Sequence, residues 1–165
     1  PLEALMMDFT DTQKAAGKSC MTEFKAVLVP TPLVEYMWLD VLDLLRKPID
    51  NSNGEVTVGS TLRRAMAGEI SILVFMAGSS VECVATVEVL TFESGKRSLS
   101  LPLFAGNNIE RYGDLIQETV VGLAKTANCE NVRGMSIRKG WMSMLTKYGW
   151  QTDHQIISYS LGDKS

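Results

Sequence analysis

The amino-acid sequence predicts an α/β domain built on one mixed sheet, and three observations support this fold class. Apolar residues recur at helical spacing in two long segments, residues 34–46 and 107–129. Between these segments lie three strand-like runs separated by short turns, which is typical of an antiparallel meander. A further strand follows the second segment, and a strand, a helix and a strand in succession favour a parallel crossover. We therefore expect a mixed sheet, α/β or α+β, with about four helices.

Length and composition fit a single globular domain. The chain has 165 residues, of which 45% are hydrophobic and 21% are charged, close to the averages for globular proteins. Residues 1–20 lack sustained apolar periodicity, so we expect an N-terminal extension or a short isolated helix there. The single domain is expected over residues 21–165.

Charge and hydropathy argue against two classes of partner. The net charge of −3 and the isoelectric point near 5.2 disfavour nucleic acid, which is usually bound by a basic patch. The longest apolar runs, such as residues 70–77, are shorter than the roughly 18 residues that cross a bilayer. No basic start precedes an apolar stretch, as it would in an export signal. We therefore expect a cytoplasmic protein with no membrane partner.

The cysteine and histidine content excludes several kinds of site. Cys20, Cys83 and Cys129 are an odd number without a CxxC spacing, so neither a disulfide framework nor a zinc site is expected. Asp8 and Asp11 lack the glycine and glutamate of a calcium loop. There is one histidine, which rules out any mechanism that needs two. No metal is therefore expected.

The elements of the first half follow in order. A Val-rich run over residues 24–30 is closed by proline and predicts the first strand. Apolar residues at helical spacing then predict an amphipathic helix that begins near Val34 and stops before Pro48. After a turn-rich loop, residues 58–68 predict a shorter helix with Gly68 as its C-terminal stop.

Three strand-like runs form the predicted meander, over residues 70–77, 81–93 and 97–105. Alternation in the third run predicts that Leu99, Leu101 and Leu103 share one face. Pro102 cannot donate a hydrogen bond to a neighbouring strand, which indicates an edge, a bulge or a splayed strand at that point.

The second half begins with what we expect to be the longest helix, over residues 107–129. Asn107 and Glu110 have the spacing of an N-cap followed by a reciprocal acidic partner. A strand over residues 131–137, a short helix over 140–149 and a strand over 154–161 complete the chain.

The segment "ANCENVRGMSIRKGWMSMLTKYGWQTDHQIISYSL" resembles the closing unit of the GNAT superfamily of N-acetyltransferases, with its strand, helix ending in "GF" or "GW", and strand. The "GWMSMLTKYGW" ending and the earlier "LRRAMAGE" are most similar to GNAT-like proteins of bacteriophages. The resemblance implies that Gly149 ends the helix in a left-handed conformation and that Trp150 enters the core.

The resemblance also implies a substrate and a place for it. Acetyl-CoA would lie where the fourth and fifth strands splay apart, and acetyl would pass to a primary amine of a small molecule or a protein. Leu103 and Phe104 are then the natural backbone donors to the thioester carbonyl. The family cradles the pyrophosphate in a loop of the form Q/R-x-x-G-x-G/A, before the long helix. The cofactor-binding candidates here are Gly106, Asn107, Asn108 and Arg111.

This loop departs from the family pattern. Glu110 and Asp114 lie in the first turns of the helix, where they compete with a phosphate for the positive helix end. A helix start that caps itself and binds no anion therefore stands as the alternative for this segment.

Catalytic candidates are few. The family's general-acid tyrosine lies four residues before the glycine of "GF", and that position is Leu145 here, while Tyr148 would point in a different direction. Among the strand carboxylates Glu82, Glu88 and Glu93, Glu88 is the best-placed candidate for a general base. Each of the three also fits a solvated strand carboxylate, and His154 fits either a base or a surface residue.

Two functions remain open. The first is a GNAT-type N-acetyltransferase that uses acetyl-CoA. The second is a GNAT-shaped protein without acyl transfer, which acts in a phage particle, in its assembly or on a host protein, in the host cytoplasm or the virion. Departures from the phosphate-loop and tyrosine patterns favour the second, as do nine methionines, which suit adaptable contact surfaces.

Overall fold

The computed structural model describes residues 9–11, 23–135 and 139–153. The chain divides into two compact units, Pro1–Met135 and Ser136–Ser165. The first unit contains all the strands of the described residues and three of the four helices.

A mixed sheet forms the centre of the first unit. The strands are β1 (Phe9–Asp11), β2 (Phe24–Val29), β3 (Ser71–Ala77), β4 (Ser80–Thr91), β5 (Arg97–Leu101), β6 (Phe104–Gly106) and β7 (Asn131–Gly134). They pair in the order β1-β2-β3-β4-β5-β7, and β6 pairs with β4. All pairs are antiparallel except β5 with β7, which is parallel. The predicted meander and the parallel crossover are both confirmed.

The described helices are α1 (Val34–Asp50), α2 (Val58–Met66), α3 (Gly113–Thr126) and α4 (Lys139–Lys147). Helix α1 packs its apolar stripe on the sheet, with Trp38 and Leu45 in one buried cluster with Ile72, Val74 and Val84. Burial of such side chains is the main contribution to stability, about 1.5 to 3 kcal/mol for each. The expected mixed sheet with four helices is therefore observed.

The sequence predicted that helix α1 stops before Pro48, and this prediction is wrong. The helix continues through Pro48 to Asp50, and at 17 residues it is longer than α3, which has 14. Pro48 lies in the last turn, where its missing N–H removes a single hydrogen bond. Ile49 is buried in the helix–sheet core, so its packing holds that turn in place.

Helix α2 begins and ends as its sequence indicates. The hydroxyl of Thr57 accepts a hydrogen bond from the N–H of Ser60, and the hydroxyl of Ser60 accepts one from the N–H of Thr57. This reciprocal pair caps the first turn. Gly68 follows the helix with φ of +71°, a left-handed conformation that glycine adopts without strain.

The expected N-terminal extension contributes a strand. Phe9–Asp11 pair with Phe24, Lys25 and Ala26 along the outer edge of β2. A short helix was the alternative for residues 1–20, and it is wrong for these three residues because they are extended and paired. The rest of that segment, and the final strand predicted over residues 154–161, lie outside the described residues.

The end of α4 is a left-handed glycine stop. Gly149 has φ of +83°, and its N–H donates to the carbonyl oxygen of Thr146 at 3.0 Å. The N–H of Trp150 donates to the carbonyl oxygen of Leu145 at 3.2 Å. These two bonds define a Schellman motif, which confirms the role expected for Gly149. Trp150 is partly buried rather than a fully buried core residue.

Candidate functional site

A β-bulge interrupts the strand that contains Pro102. Glu88 pairs with Ser100, whereas Ala85 pairs with Phe104. Three steps along β4 thus correspond to four steps along its partner, so one extra residue lies between Leu101 and Phe104. A bulge was one of the three alternatives that Pro102 indicated from sequence.

The bulge changes which way the leucines face. Ser100 lies opposite Glu88, so Leu99 and Leu101 point to the other face of the sheet. Leu103 lies in the core cluster beneath α1 instead. The prediction that all three leucines share one face was therefore wrong for Leu103, because an inserted residue reverses the alternation of the strand.

Thr86 fastens the bulge to β4 with two hydrogen bonds. Its N–H donates to the carbonyl oxygen of Leu103 at 2.9 Å, and its Oγ1 accepts the N–H of Leu103 at 3.1 Å. Both residues are buried, at 1% and 5% exposure. The N–H of Leu103 is thus engaged inside the protein, which removes this residue from the candidate donors to a thioester.

Beyond the bulge, no strand of the described residues pairs with the side of β6 opposite β4. The parallel pairing of β5 with β7 ends at Leu101 and Gly134. The N–H of Thr86 donates to Leu103 and the N–H of Asn107 donates to Glu82. In an antiparallel ladder the bonds alternate, so the N–H groups of the intervening Phe104 and Gly106 point away from β4.

Gly106 is required by close packing against β4. A Cβ atom at this position would lie 2.9 Å from the Cα and 2.5 Å from the Sγ of Cys83. Burial and, to a smaller extent, the charge of Glu82 raise the pKa of the Cys83 thiol from 9.0 to about 12. Cys83 is therefore a neutral packing residue, and β6 lies close to β4 because position 106 has no side chain.

The loop between β6 and α3 begins with two exposed asparagines, Asn107 and Asn108. Asn108 has φ of +52°, a left-handed conformation that asparagine tolerates better than most residues. A 3₁₀ turn follows over Ile109–Tyr112, and no side-chain hydrogen bond caps it. The predicted cap formed by Asn107 and Glu110 is wrong, because the chain turns at Asn108 and α3 begins only at Gly113.

Arg111 is the cation of this loop. Its guanidinium lies 4.8 Å from the centroid of the Phe24 ring, and that ring contacts Tyr112 edge to face at 5.3 Å. No carboxylate of the described residues forms an ion pair with Arg111. Arg111 lines an open surface cavity of about 580 Å³ with Asn108 and Glu110, among the residues the structure describes.

The start of α3 at Gly113 is a feature that sequence reasoning missed. The helix is preceded by a 3₁₀ turn over Ile109–Tyr112, and the apolar spacing of a 3₁₀ turn is similar to that of an α-helical first turn.

Glu88 is held by an arginine. Its carboxylate is 18% exposed, and Oε2 lies 2.7 Å from Nη2 of Arg64 on α2. Nε of Arg64 lies 3.3 Å from Oε2 of Glu69. The hydrogen bond to Glu88 raises the pKa of Arg64, burial opposes it, and Glu69 adds to the rise. Arg64 was not singled out from sequence, because its partner lies 24 residues away along the chain.

The other two strand carboxylates have different surroundings. Glu82 is partly buried and its Oε1 accepts a hydrogen bond from the hydroxyl of Ser80 at 3.0 Å. Glu93 is exposed, which agrees with the interpretation as a solvated carboxylate. His154 lies outside the described residues.

The described residues contain neither a cluster of metal ligands nor a helix that could cross a bilayer. No group of three or more His, Cys, Asp or Glu side chains there has the arrangement of a metal site. None of the described helices is both long enough and apolar enough to span a bilayer.

Comparison with solved structures places this architecture among acetyltransferases. An aminoglycoside acetyltransferase from an uncultured soil sample, in complex with sisomicin, matches with a TM-score of 0.62 at 11% identity, covering 86% of this chain and 97% of that one. A predicted acetyltransferase from Clostridium acetobutylicum with acetyl-CoA matches with a TM-score of 0.60 at 12% identity, covering 84% and 96%. Glucosamine-6-phosphate N-acetyltransferase from Arabidopsis thaliana matches with a TM-score of 0.57 at 14% identity, covering 84% and 99%.

These matches define the fold class. A GNAT-family acetyltransferase from Staphylococcus aureus also matches, with a TM-score of 0.58 at 13% identity over 86% of this chain and all of that one. The chain has the GNAT acyl-CoA N-acyltransferase fold, as the sequence predicted. No protein-family model and no curated protein matches the sequence. Nothing in the comparisons links the chain to bacteriophage proteins.

Proposed function

We propose that this protein is an N-acyltransferase that transfers acetyl from acetyl-CoA to a primary amine. The observation that supports this most is the bulge at Pro102 and Leu103, where β5 stops pairing with β7 while the strand continues beside β4. Beyond this point the backbone N–H of Gly106 points away from β4, and backbone N–H groups directed at a substrate carbonyl polarise it in acyl transfer.

The residues beyond the bulge fit acetyl-CoA in most respects. The backbone N–H of Gly106 points away from β4 and would donate a hydrogen bond to the thioester carbonyl. Asn107 and Asn108 are exposed where the chain turns into α3, and the 3₁₀ turn has no side-chain cap competing for its N–H groups. Arg111 would bind a phosphate oxygen with its guanidinium.

Two carboxylates near the loop oppose phosphate binding, and their unfavourable free energy must be compared with the favourable free energy of the contact with Arg111. Glu110 and Asp114 are exposed at the helix start, where a charge changes anion binding by about 0.3 to 1 kcal/mol. A hydrogen bond to a charged group contributes about 1.5 to 3 kcal/mol. One guanidinium–phosphate contact from Arg111 therefore offsets both carboxylates, and we propose a loop that binds pyrophosphate weakly but specifically.

Glu88 is the proposed general base. Thr86 and Glu88 are two residues apart on one face of β4, which separates their Cα atoms by about 7 Å. Glu88 thus follows, by two residues on the same face of β4, the threonine that holds the bulge, and the proposal requires that its carboxylate reaches the acceptor amine directly or through one water. Its partly buried position restricts competition from bulk solvent.

The proposed step balances in atoms and charge. The acceptor ammonium gives one proton to the Glu88 carboxylate, and the nitrogen lone pair attacks the thioester carbonyl carbon. A C–N bond forms and the C–S bond breaks, so that the sulfur leaves as a thiolate. The thiolate takes the second proton of the acceptor nitrogen through water, and Glu88 releases its proton to solvent. Leu145 occupies the position of the family's general-acid tyrosine and cannot donate a proton. Water therefore delivers the proton to the thiolate in the proposed step.

Two of the structural neighbours suggest the kind of acceptor. One neighbour was solved with sisomicin, an aminoglycoside, and another acetylates glucosamine 6-phosphate. Both molecules have a primary amine on a sugar ring. We propose a small primary amine for this chain as well, in a cytoplasmic setting where acetyl-CoA is available.

The test is release of the CoA thiol, measured with a thiol reagent, after mixing the protein and acetyl-CoA with each of three amines: sisomicin, glucosamine 6-phosphate and a lysine peptide. We expect amine-dependent release that falls at least tenfold in Glu88→Gln. Glu93→Gln, on an exposed carboxylate, is the matched control and should keep full activity. Absence of release and of acetyl-CoA binding would favour the second hypothesis, a GNAT-shaped protein that acts through contacts with a phage or host protein.

A further inference from the structure

The guanidinium of Arg64, near the end of α2, contacts two carboxylates, those of Glu88 and Glu69. Its Nη2 lies 2.7 Å from Oε2 of Glu88 on the sheet, and its Nε lies 3.3 Å from Oε2 of Glu69, just beyond the helix. A guanidinium is planar, so contacts to two of its nitrogens fix the orientation of the whole group. The side chain is 36% exposed, which leaves this arrangement at the edge of the core rather than in open solvent.

The contact engages one oxygen of Glu88 and leaves the other. Oε2 accepts from Arg64, while no hydrogen bond or ion pair within the described residues reaches Oε1. A glutamate side chain has three rotatable torsions, and without a partner its carboxylate samples several directions. With Oε2 fixed by Arg64, Oε1 has a defined direction on the face of β4 that also presents Thr86.

We propose that Arg64 is a positioning residue for Glu88, holding Oε2 so that Oε1 faces the acceptor amine. This inference rests on the proposed function, because it gives Arg64 a role only through the proposed base. Glu69 completes the arrangement by holding the guanidinium from its other side. Arg64 touches neither the acceptor nor the thioester in this account.

Arg63 provides a matched control. It is the preceding residue of α2, is exposed, and forms no ion pair with the described residues. Arg63→Gln and Arg64→Gln therefore change the net charge equally and on the same helix. A difference between them reports the contact with Glu88 rather than the loss of one positive charge.

The experiment measures CoA release with the amine from the panel above that gives the highest rate. We expect Arg64→Gln to lower kcat at least tenfold with the KM for acetyl-CoA within twofold, and Arg63→Gln to stay within twofold in both. Arg64→Lys should have a higher kcat than Arg64→Gln and a lower one than wild type. A lysine ammonium keeps the positive charge but lacks the planar set of donors that a guanidinium presents. The double variant Arg64→Gln with Glu88→Gln should be no slower than Glu88→Gln alone.

Each contrary result identifies which claim fails. Unchanged kcat in Arg64→Gln would overturn the positioning role and leave the acyltransferase proposal intact. A double variant slower than Glu88→Gln by the full factor of Arg64→Gln would also overturn it, because Arg64 would then act independently of Glu88. If the wild-type protein released no CoA with any of the three amines, both proposals would be overturned. Thermal midpoints of the variants, compared with wild type, separate loss of fold from loss of rate.

Discussion

The two parts of the candidate acetyl-CoA site are built in opposite ways. We call residues 101–106 the strand edge and residues 107–112 the loop. In the strand edge, Leu101 and Leu103 are at most 6% exposed, and Thr86 holds the bulge with two hydrogen bonds. In the loop, both asparagines and both charged residues are exposed, and no side chain caps the turn.

This difference teaches that the two parts depend on different properties of the chain. The proposed role of the strand edge uses backbone N–H groups, whose positions depend on burial and register but not on particular side chains. The fold that sets this register is shared with solved structures at 9–14% identity. The proposed role of the loop depends on which residues can approach a phosphate, so replacing one residue changes its chemistry. Variants of the strand edge should therefore lose mainly stability, and variants of the loop should lose mainly ligand affinity.

Gly106→Ala should have the largest effect, on the strand edge. The new Cβ would meet the Cα of Cys83 at 2.9 Å, so β6 must move away from β4. We expect a loss of about 2 to 3 kcal/mol in the free energy of unfolding, as overpacking typically costs. The measurement is urea denaturation, with Gly59→Ala as the control, since position 59 has open space. The control should gain up to about 1 kcal/mol, and equal behaviour of the two variants would contradict the close packing.

Thr86→Val should destabilise the bulge without changing its volume. The substitution removes the Oγ1 that accepts the buried N–H of Leu103. An unsatisfied buried donor costs about 1 to 3 kcal/mol, and acetyl-CoA affinity should fall as the edge loosens. Ser98→Ala is the control, because the Ser98 hydroxyl is fully buried and has no hydrogen-bond partner among the residues that the structure describes. Its removal should be neutral or stabilising, and a neutral Thr86→Val would show that Thr86 does not hold the bulge.

The stability of the strand edge should decline at high pH because of Cys83. Burial raises the pKa of this thiol from 9.0 to about 12, so the unfolded chain loses the proton first as pH rises. The neutral thiol's contribution is complete below pH 9 and is lost progressively between pH 9 and about 12. At pH 10 the loss relative to pH 8 should be about 1 kcal/mol. Urea denaturation of Cys83→Ala should show a smaller loss; the same slope in both proteins would contradict the assignment.

Arg111→Ala should have the smallest effect on stability and the largest on the loop's proposed function. The cation–π contact with Phe24 contributes about 0.5 to 1 kcal/mol at an exposed site. Acetyl-CoA affinity should fall at least tenfold, because the guanidinium is the proposed phosphate ligand. Arg46→Ala, at an exposed position of α1, is the charge-matched control, and this variant should bind acetyl-CoA as wild type does. Equal affinities of the two variants would remove Arg111 from the site.

Local patterns predicted much of this fold. Turn residues and period changes placed the meander, and the Gly68 and Gly149 stops followed from their positions after apolar helices. Pro102 indicated a local irregularity because a missing N–H has few tolerated positions in a sheet. These features depend on residues that are near one another in sequence.

The features that sequence did not predict depend on distant contacts. Helix α1 passes Pro48 because Ile49 packs in the core, and Leu103 faces α1 because a bulge inserts one residue. Arg64 reaches Glu88 across 24 residues. Arg111 and Tyr112, just before the start of α3, contact Phe24, which is more than 80 residues earlier in the chain. No spacing rule along the chain determines any of these.

Calorimetric titration of the purified protein with acetyl-CoA examines the whole site at once, because the strand edge and the loop are both proposed to bind this ligand. We expect one site with a micromolar Kd, similar for acetyl-CoA and CoA and weaker for Arg111→Ala. No detectable heat, and no shift in the thermal midpoint up to millimolar ligand, would show that the two parts do not form an acetyl-CoA site. The chain would then have the GNAT fold without the substrate that the fold usually binds.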